Sequence, residues 1–279
     1  MTKSISDTAF LVNESRARSV QLSGDVFAAH WVAEEKRDAV RQLWDDFSRE
    51  VYPHDDLELG IRNRFFLTRL EDFVYRARDA AFVNVGAGFT SYPFLLSRPI
   101  DCIEIDYPHV IEQKRNRLVT LRQTGVLPER SVKLFAADLS QAAEREQLRQ
   151  MLTSELAGRP SFILLEGLTY YLSEPVLRAL LESFRNLQPG GSELAFDFWR
   201  TDITRRPVFC KLQDFFVRRF GFETQAYNLF GEDFICSLGG YGVVRITDAT
   251  AEERTYAGTA ILSDYDKILP ENYAVLRRE

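Results

Sequence analysis

Phe82-Val83-Asn84-Val85-Gly86-Ala87-Gly88-Phe89-Thr90 is followed by Ile103-Glu104-Ile105-Asp106. A short apolar run passes into a Gly-x-Gly turn, and a second apolar run ends on an acid 20 positions after Gly86. This is the layout of a nucleotide-binding βαβ unit. Small residues let the backbone approach a ligand, and an acid accepts hydrogen bonds from ribose hydroxyls. The spacing predicts an adenosine cofactor.

Downstream of this unit, strand and helix signals alternate. Strands are expected at 82–86, 101–106, 132–137, 162–166 and 193–198, with helices at 113–124, 142–156 and 174–187. Such alternation implies a doubly wound, mostly parallel sheet. The first strands are nearly all apolar, as in a sheet covered on both faces. Further on, 208–220 reads as a helix. Residues 241–246 and 273–277 read as two strands joined by a long polar connection, expected to finish the sheet as an antiparallel pair. The expected fold class is therefore α/β. It is a Rossmann-like sheet of seven strands, mostly parallel, with an antiparallel C-terminal strand.

Upstream, apolar residues recur at spacings of three and four from Val26 through Trp31, Val40, Leu43, Trp44 and Phe47, the period of amphipathic helices. Pro53 and Gly60 punctuate the end of this part, and another helix is expected at about 63–78. Residues 1–60 thus read as an N-terminal helical lid over the cofactor, and 61–279 as the α/β domain. Within that domain, 200–236 is expected to close the substrate side. Its aromatics Phe209, Phe215, Phe216, Phe222, Tyr227 and Phe230 would shape an apolar pocket.

Composition narrows the class. The chain has 279 residues, 45% of them apolar and 13% aromatic, enough for a substantial core. A net charge of −6 argues against a general nucleic-acid binder. The cluster Lys114-Arg115-Asn116-Arg117 is read as a solvated face. Cys102, Cys210 and Cys236 show no CxxC spacing and read as reduced core thiols of a cytoplasmic protein. None of the three His stands at metal-ligand spacing to another His or to a Cys, so no metal site is expected. No signal peptide and no apolar run of membrane-spanning length are visible. A homo-oligomer is compatible with these features.

The third position of a dinucleotide G-x-G-x-x-G is Ser91 here. The other polar strand ends are Asp106, Asp138 with Leu139, and Glu166 with Gly167, at the strand C-termini where ligands bind in open α/β sheets. This set suits S-adenosylmethionine. Its ribose hydroxyls would meet Asp106. Its adenine amino group would meet Asp138, with Leu139 packing on the ring. No pyrophosphate needs cradling, so the third glycine is dispensable.

Four segments occur in order: Asn84-Val85-Gly86-Ala87-Gly88, Glu104-Ile105-Asp106-Tyr107-Pro108-His109-Val110-Ile111-Glu112-Gln113-Lys114, Ala136-Ala137-Asp138-Leu139, and Glu166-Gly167-Leu168-Thr169-Tyr170-Tyr171-Leu172. Together they resemble the leucine carboxyl methyltransferase family, including its bacterial polyketide carboxyl O-methyltransferase branch. The Asp-x-Pro-x-Val-Ile-x-x-Lys segment is the most specific piece. Arg62-Asn63-Arg64 resembles the family's Arg-x-Arg, Gly239-Gly240-Tyr241 its late Gly-aromatic turn, and Glu14-Ser15-Arg16-Ala17 is a weaker echo. The resemblance spans about 60–250.

The resemblance implies that Arg64, with Arg62 as the second choice, pairs with the methionine carboxylate of the cofactor. It implies that Gly86 and Gly88 lie against the cofactor, Asp106 binds ribose, Asp138 and Leu139 bind adenine, and Glu166 lines the methionine side. Tyr171 and Tyr170 would stand near the reacting centre, where tyrosines, Tyr92 among them, can hold a sulfonium by cation–π contact. Where the family continues Gly-Ala-Gly-x-Asp-Thr-Arg and later Arg-Leu, this chain has Thr90, Tyr92 and Leu95. Thr90 or Ser91 would cap the next helix, with Pro93 in its first turn.

The expected activity is S-adenosylmethionine-dependent O-methylation of a carboxylate on a small metabolite or a carrier-bound natural product, a role in secondary metabolism. A carboxylate nucleophile is already ionised at neutral pH, so the lack of a His or Cys catalytic set fits. The altered Thr90-Ser91-Tyr92 stretch keeps a second reading open: a cyclase that consumes the cofactor to azetidine-2-carboxylate and methylthioadenosine. A third is a non-catalytic regulatory protein that binds the cofactor.

Overall fold

A computed structural model describes residues 5–221, 227–264 and 267–279. Among the described residues five α-helices precede the sheet: α1 (Ile5–Arg18), α2 (Val20–Ser23), α3 (Ala28–Trp31), α4 (Arg37–Glu50) and α5 (Asp55–Arg76). The apolar stripe of α4 buries Val40, Trp44 and Phe47 as its period requires. α5 starts well before the expected position and runs straight through Gly60. That glycine serves packing: a Cβ there would come within 2.7 Å of Ser19 Oγ. It lets the α1–α2 junction lie against α5, where the Ser19 hydroxyl donates to the Asp56 carbonyl at 2.7 Å.

The α/β part follows as β1 (Ala81–Val85), α6 (Tyr92–Leu95), β2 (Asp101–Asp106), α7 (Pro108–Gln123), β3 (Val132–Ala136), α8 (Ala142–Leu156), β4 (Ser161–Leu165), α9 (Glu174–Leu187) and β5 (Glu193–Phe198). It ends with α10 (Pro207–Phe220), α11 (Glu232–Cys236), β6 (Tyr241–Asp248), α12 (Ala249–Tyr256) and β7 (Asn272–Arg278). The seven strands lie in the order β3-β2-β1-β4-β5-β7-β6. β1 to β5 are parallel, and β7 inserts antiparallel between β5 and β6. Strand order reverses between β1 and β4, which opens a crevice at their C-terminal ends. The connection from β6 to β7, expected to be long and polar, contains α12.

Both sheet faces are covered. One core packs α5 and α10 on residues such as Phe82, Phe162 and Tyr273. The other packs α8 and α9 on Val83, Ile163 and Phe196. β1, β4 and β5 are therefore buried along their whole length. Two sequence expectations are corrected here. Cys210 and Cys236 are exposed, leaving Cys102 as the buried thiol. Lys114 is no solvated residue: it is 1% exposed and pairs with the fully buried Glu104 at 2.8 Å. Among the described residues no helix is long and apolar enough to cross a membrane.

Candidate active site

A cavity of about 390 Å³ opens at the C-terminal ends of β1, β2 and β4, reaches past β5 to the start of β7, and is covered by α1 and α5. At one end the chain turns after β1 with Gly86 at φ +72° and Gly88 at φ +46°, a region that favours glycine. The Gly86 and Ala87 N–H groups both donate to the Ile105 carbonyl, at 2.8 and 3.0 Å, so the turn folds over the end of β2. A Cβ on Gly86 would meet the Leu168 side chain at 3.1 Å. Gly88 and Tyr107 N–H donate to the two Asp106 carboxylate oxygens, each at 2.7 Å. Burial pushes the Asp106 carboxyl up, against the pull of those two donors.

The centre of the cavity is an ion network around Arg62. Its Nε donates to Glu166 Oε1 at 2.9 Å, and its Nη1 to Asp197 Oδ2 at 3.0 Å and Glu271 Oε1 at 2.7 Å. Glu166 Oε2 accepts from the Tyr92 hydroxyl at 2.7 Å, and Asp197 Oδ1 from Gly167 N–H at 2.8 Å. Glu58 accepts from the Glu271 N–H at 2.9 Å and from the Tyr52 hydroxyl. Asp55 accepts from the Ser15 hydroxyl at 2.6 Å. Arg16 reaches Glu166 only at 3.9 Å and Asn63 at 3.5 Å, and its buried Nε has no partner. Among the described residues these five buried carboxyls, with Asp25 near Arg16, face two guanidiniums. Burial pushes Asp55 up to about 6. It also raises Glu58, Asp197 and Glu271, against the pull of Arg62.

The structure brings seven of the sequence-predicted residues into the wall of this cavity: Arg62, Gly86, Gly88, Asp106, Glu166, Tyr170 and Tyr171. Tyr170 stacks on Trp199 with ring centroids 4.0 Å apart, and Tyr171 is 38% exposed beside it. Three lie elsewhere. Arg64 turns away and donates to the Leu22 and Gln21 carbonyls at 2.7 and 3.3 Å, because the end of α2 presents unpaired carbonyls to it. Asp138 is taken up by the turn into α8, its Oδ1 accepting from Ser140 N–H at 2.9 Å. Leu139 packs in the core on the α8–α9 side.

The turn after Gly88 also differs from expectation. Thr90 accepts from the Asn84 side-chain amide at 2.8 Å, and Ser91 from Trp31 Nε1 at 2.8 Å, so neither hydroxyl caps α6. Tyr92 stands behind Glu166, outside the wall. Of the expected pocket aromatics Phe216 lines the cavity. Phe209 and Phe215 pack in one core and Phe230 in the other, Tyr227 packs on Tyr171, and Phe222 lies outside the described residues.

Sequence reading missed Asp55, Asp197, Trp199 and Glu271 and gave Arg16 no role. Asp197 carried a usable signal, a lone acid inside the apolar run 193–198. Asp55 and Arg62 also stand seven apart on one helix, two turns along the same face. Glu271 lies in a loop with no local pattern.

The leucine carboxyl methyltransferase family profile matches residues 7–185. The chain belongs to the leucine carboxyl methyltransferase family. A protein of Mycolicibacterium paratuberculosis (strain ATCC BAA-968 / K-10), assigned as an S-adenosyl-L-methionine-dependent methyltransferase, is 30% identical over 213 residues, covering 71% of this chain and 75% of that one. One from Mycobacterium avium (strain 104) with the same assignment is also 30% identical, over 71% of this chain and 67% of that one. Two solved structures share the fold. One, named as a methyltransferase, is from Thermobifida fusca YX (TM-score 0.59, 17% identity, 91% of this chain and 94% of that one). The other is a DUF574 family protein from Streptomyces avermitilis MA-4680 (TM-score 0.60, 14% identity, 92% and 97%).

This family member's cavity fits S-adenosylmethionine on two observations. The buried, partnerless Nε of Arg16 is a donor in want of an anion such as the methionine carboxylate. The Gly86 turn leaves open beside Leu168 a space that any Cβ would enter.

Proposed function

We propose that this chain methylates a carboxylate oxygen of a small metabolite or a carrier-bound natural product. Its family and relatives make it an S-adenosylmethionine-dependent methyltransferase; the acceptor is our inference. When bound, S-adenosylmethionine supplies an electrophilic sulfonium methyl. The observation that carries the acceptor class is the make-up of the cavity wall. Among the described residues it holds no His, Cys or Lys, and its far end is apolar, with Phe47, Leu212 and Phe216. An ionised carboxylate needs no base to become a nucleophile, so alignment and exclusion of water can account for the rate.

Arg16 and Arg62 would hold carboxylate groups. Asp106 would take the ribose hydroxyls, and Glu166, braced by Arg62 and Tyr92, the methionine side. The Tyr170–Trp199 stack would form an aromatic wall beside the reacting centre, where it favours a cation.

One observation favours the cyclase reading. Asp55 and Glu271 line the cavity with pKa values raised by burial. A carboxylate acceptor has no proton to lose, whereas an amine nucleophile must give one up, and these two side chains could take it.

Purified protein incubated with S-adenosylmethionine, with and without a panel of carboxylic acids, tests both readings by mass spectrometry. Methyl ester and S-adenosylhomocysteine that appear only with an acid are expected. Methylthioadenosine formed without any acid, above the uncatalysed background, would overturn carboxylate methylation in favour of the cyclase.

A further inference from the structure

We propose that the part of the cavity wall where Glu271 and Asp55 stand near Arg62 binds an ammonium group of the substrate. Building on the carboxylate-methylation reading above, this makes the methyl acceptor an amine-bearing acid of the amino-acid class.

Glu271 Oε1 is bonded to Arg62, but Oε2 is buried and has no partner, although the side chain is only 5% exposed and lines the cavity. A buried oxygen without a partner calls for one from the ligand, and an ammonium that donates to it would hold Glu271 as the carboxylate, which only accepts. Position separates this donor from the ribose. Asp106 ends β2, whereas Glu271 precedes β7, four strands along the sheet, about 19 Å away at the usual strand spacing. Charge points the same way. Burial holds the Asp55, Glu58, Asp197 and Glu271 carboxyls toward their protonated forms, and a ligand cation beside them would favour the ionised forms.

Among the described residues no group of three His, Cys, Asp or Glu side chains is arranged to hold a metal ion. Tyr170 and Trp199 in the same wall add faces that attract an ammonium.

Three compounds on one skeleton test this by calorimetry on protein saturated with S-adenosylhomocysteine: phenethylamine, phenylalanine and 3-phenylpropanoic acid. The two amines are expected to bind at least about tenfold more tightly than the acid that lacks one. Glu271→Gln should remove that preference, with any loss of S-adenosylhomocysteine affinity smaller than the loss of the amine preference. Asp55→Asn, which lies outside the Arg62 pairs, should reduce the preference and guards against loss of fold in the first variant. Equal binding of the acid and the amines would overturn the proposal. So would no amine binding at millimolar concentration, or loss of S-adenosylhomocysteine affinity with the amine preference intact. Ester formation is scored separately. Methylation of phenylpropanoic acid as readily as phenylalanine would keep carboxylate methylation and overturn the ammonium site. Amine-selective binding with no ester from any acid would keep the site and overturn carboxylate methylation.

Discussion

The Nε–H of Arg16 is buried without an acceptor, and an unmade hydrogen bond of that kind costs about 1–3 kcal/mol. A residue held in that state gains most when an anion arrives. Arg16→Met should therefore weaken S-adenosylhomocysteine binding at least about tenfold in calorimetry while barely lowering the melting temperature. Arg64→Met should do the reverse, because its guanidinium serves the Leu22 and Gln21 carbonyls. About 1 kcal/mol of stability should be lost, with affinity kept. If Arg64→Met abolished binding and Arg16→Met did not, the assignment of the two arginines would be reversed. Residue type told the sequence reader that a guanidinium fork suits a carboxylate, but not which arginine turns inward. Arg62 and Arg64 are two positions apart on a helix, so they point about 200° apart, and only one can face the cavity.

At the scale of elements, the Gly86 turn is held from behind by α7. Lys114 on that helix pairs with Glu104 on β2 and donates to the Thr90 carbonyl at 3.2 Å. Both side chains are fully buried, so removing one leaves an uncompensated charge. Lys114→Met should cost about 3–5 kcal/mol near neutral pH in denaturant unfolding, and adding Glu104→Leu should recover much of it. A single variant as stable as the parent would show that the pair does not hold the turn. α5 is the second positioning element, since it carries Asp55, Glu58 and Arg62 on one face. Gly60→Val would push Ser19 and Leu22 off it, at about 1–3 kcal/mol. The strands of the sheet were legible because long apolar runs ended on polar residues. The course of α5 was not, because a glycine that permits close packing looks in sequence like one that ends a helix.

The molecule as a whole stores carboxyls where water would normally solvate them. Asp55, raised to about 6, and Glu58, Asp197 and Glu271, also raised, all hold a proton more tightly folded than unfolded. Their stabilising contribution is complete below the ordinary carboxylate range and is lost as pH rises through the folded-state values. The melting temperature of the protein without ligand should therefore fall between about pH 5 and pH 8, and Asp55→Asn should flatten part of that fall. A melting temperature that rose over this interval would refute the raised titration of these carboxyls. Sequence alone determined the α/β class, the succession of the seven strands and the residues that line one end of the cavity. Those features are written locally, as apolar runs, a Gly-x-Gly turn and the acids Asp106 and Glu166 at strand ends. Tertiary structure alone decided the rest. It turned Arg16 inward and Arg64 outward, took Asp138 into a turn, and gathered Asp55, Asp197 and Glu271 around Arg62. Those choices depend on which carbonyls and carboxylates the packed helices and the antiparallel β7 bring within hydrogen-bond reach, and residues up to 213 positions apart in the chain carry no local sign of that meeting.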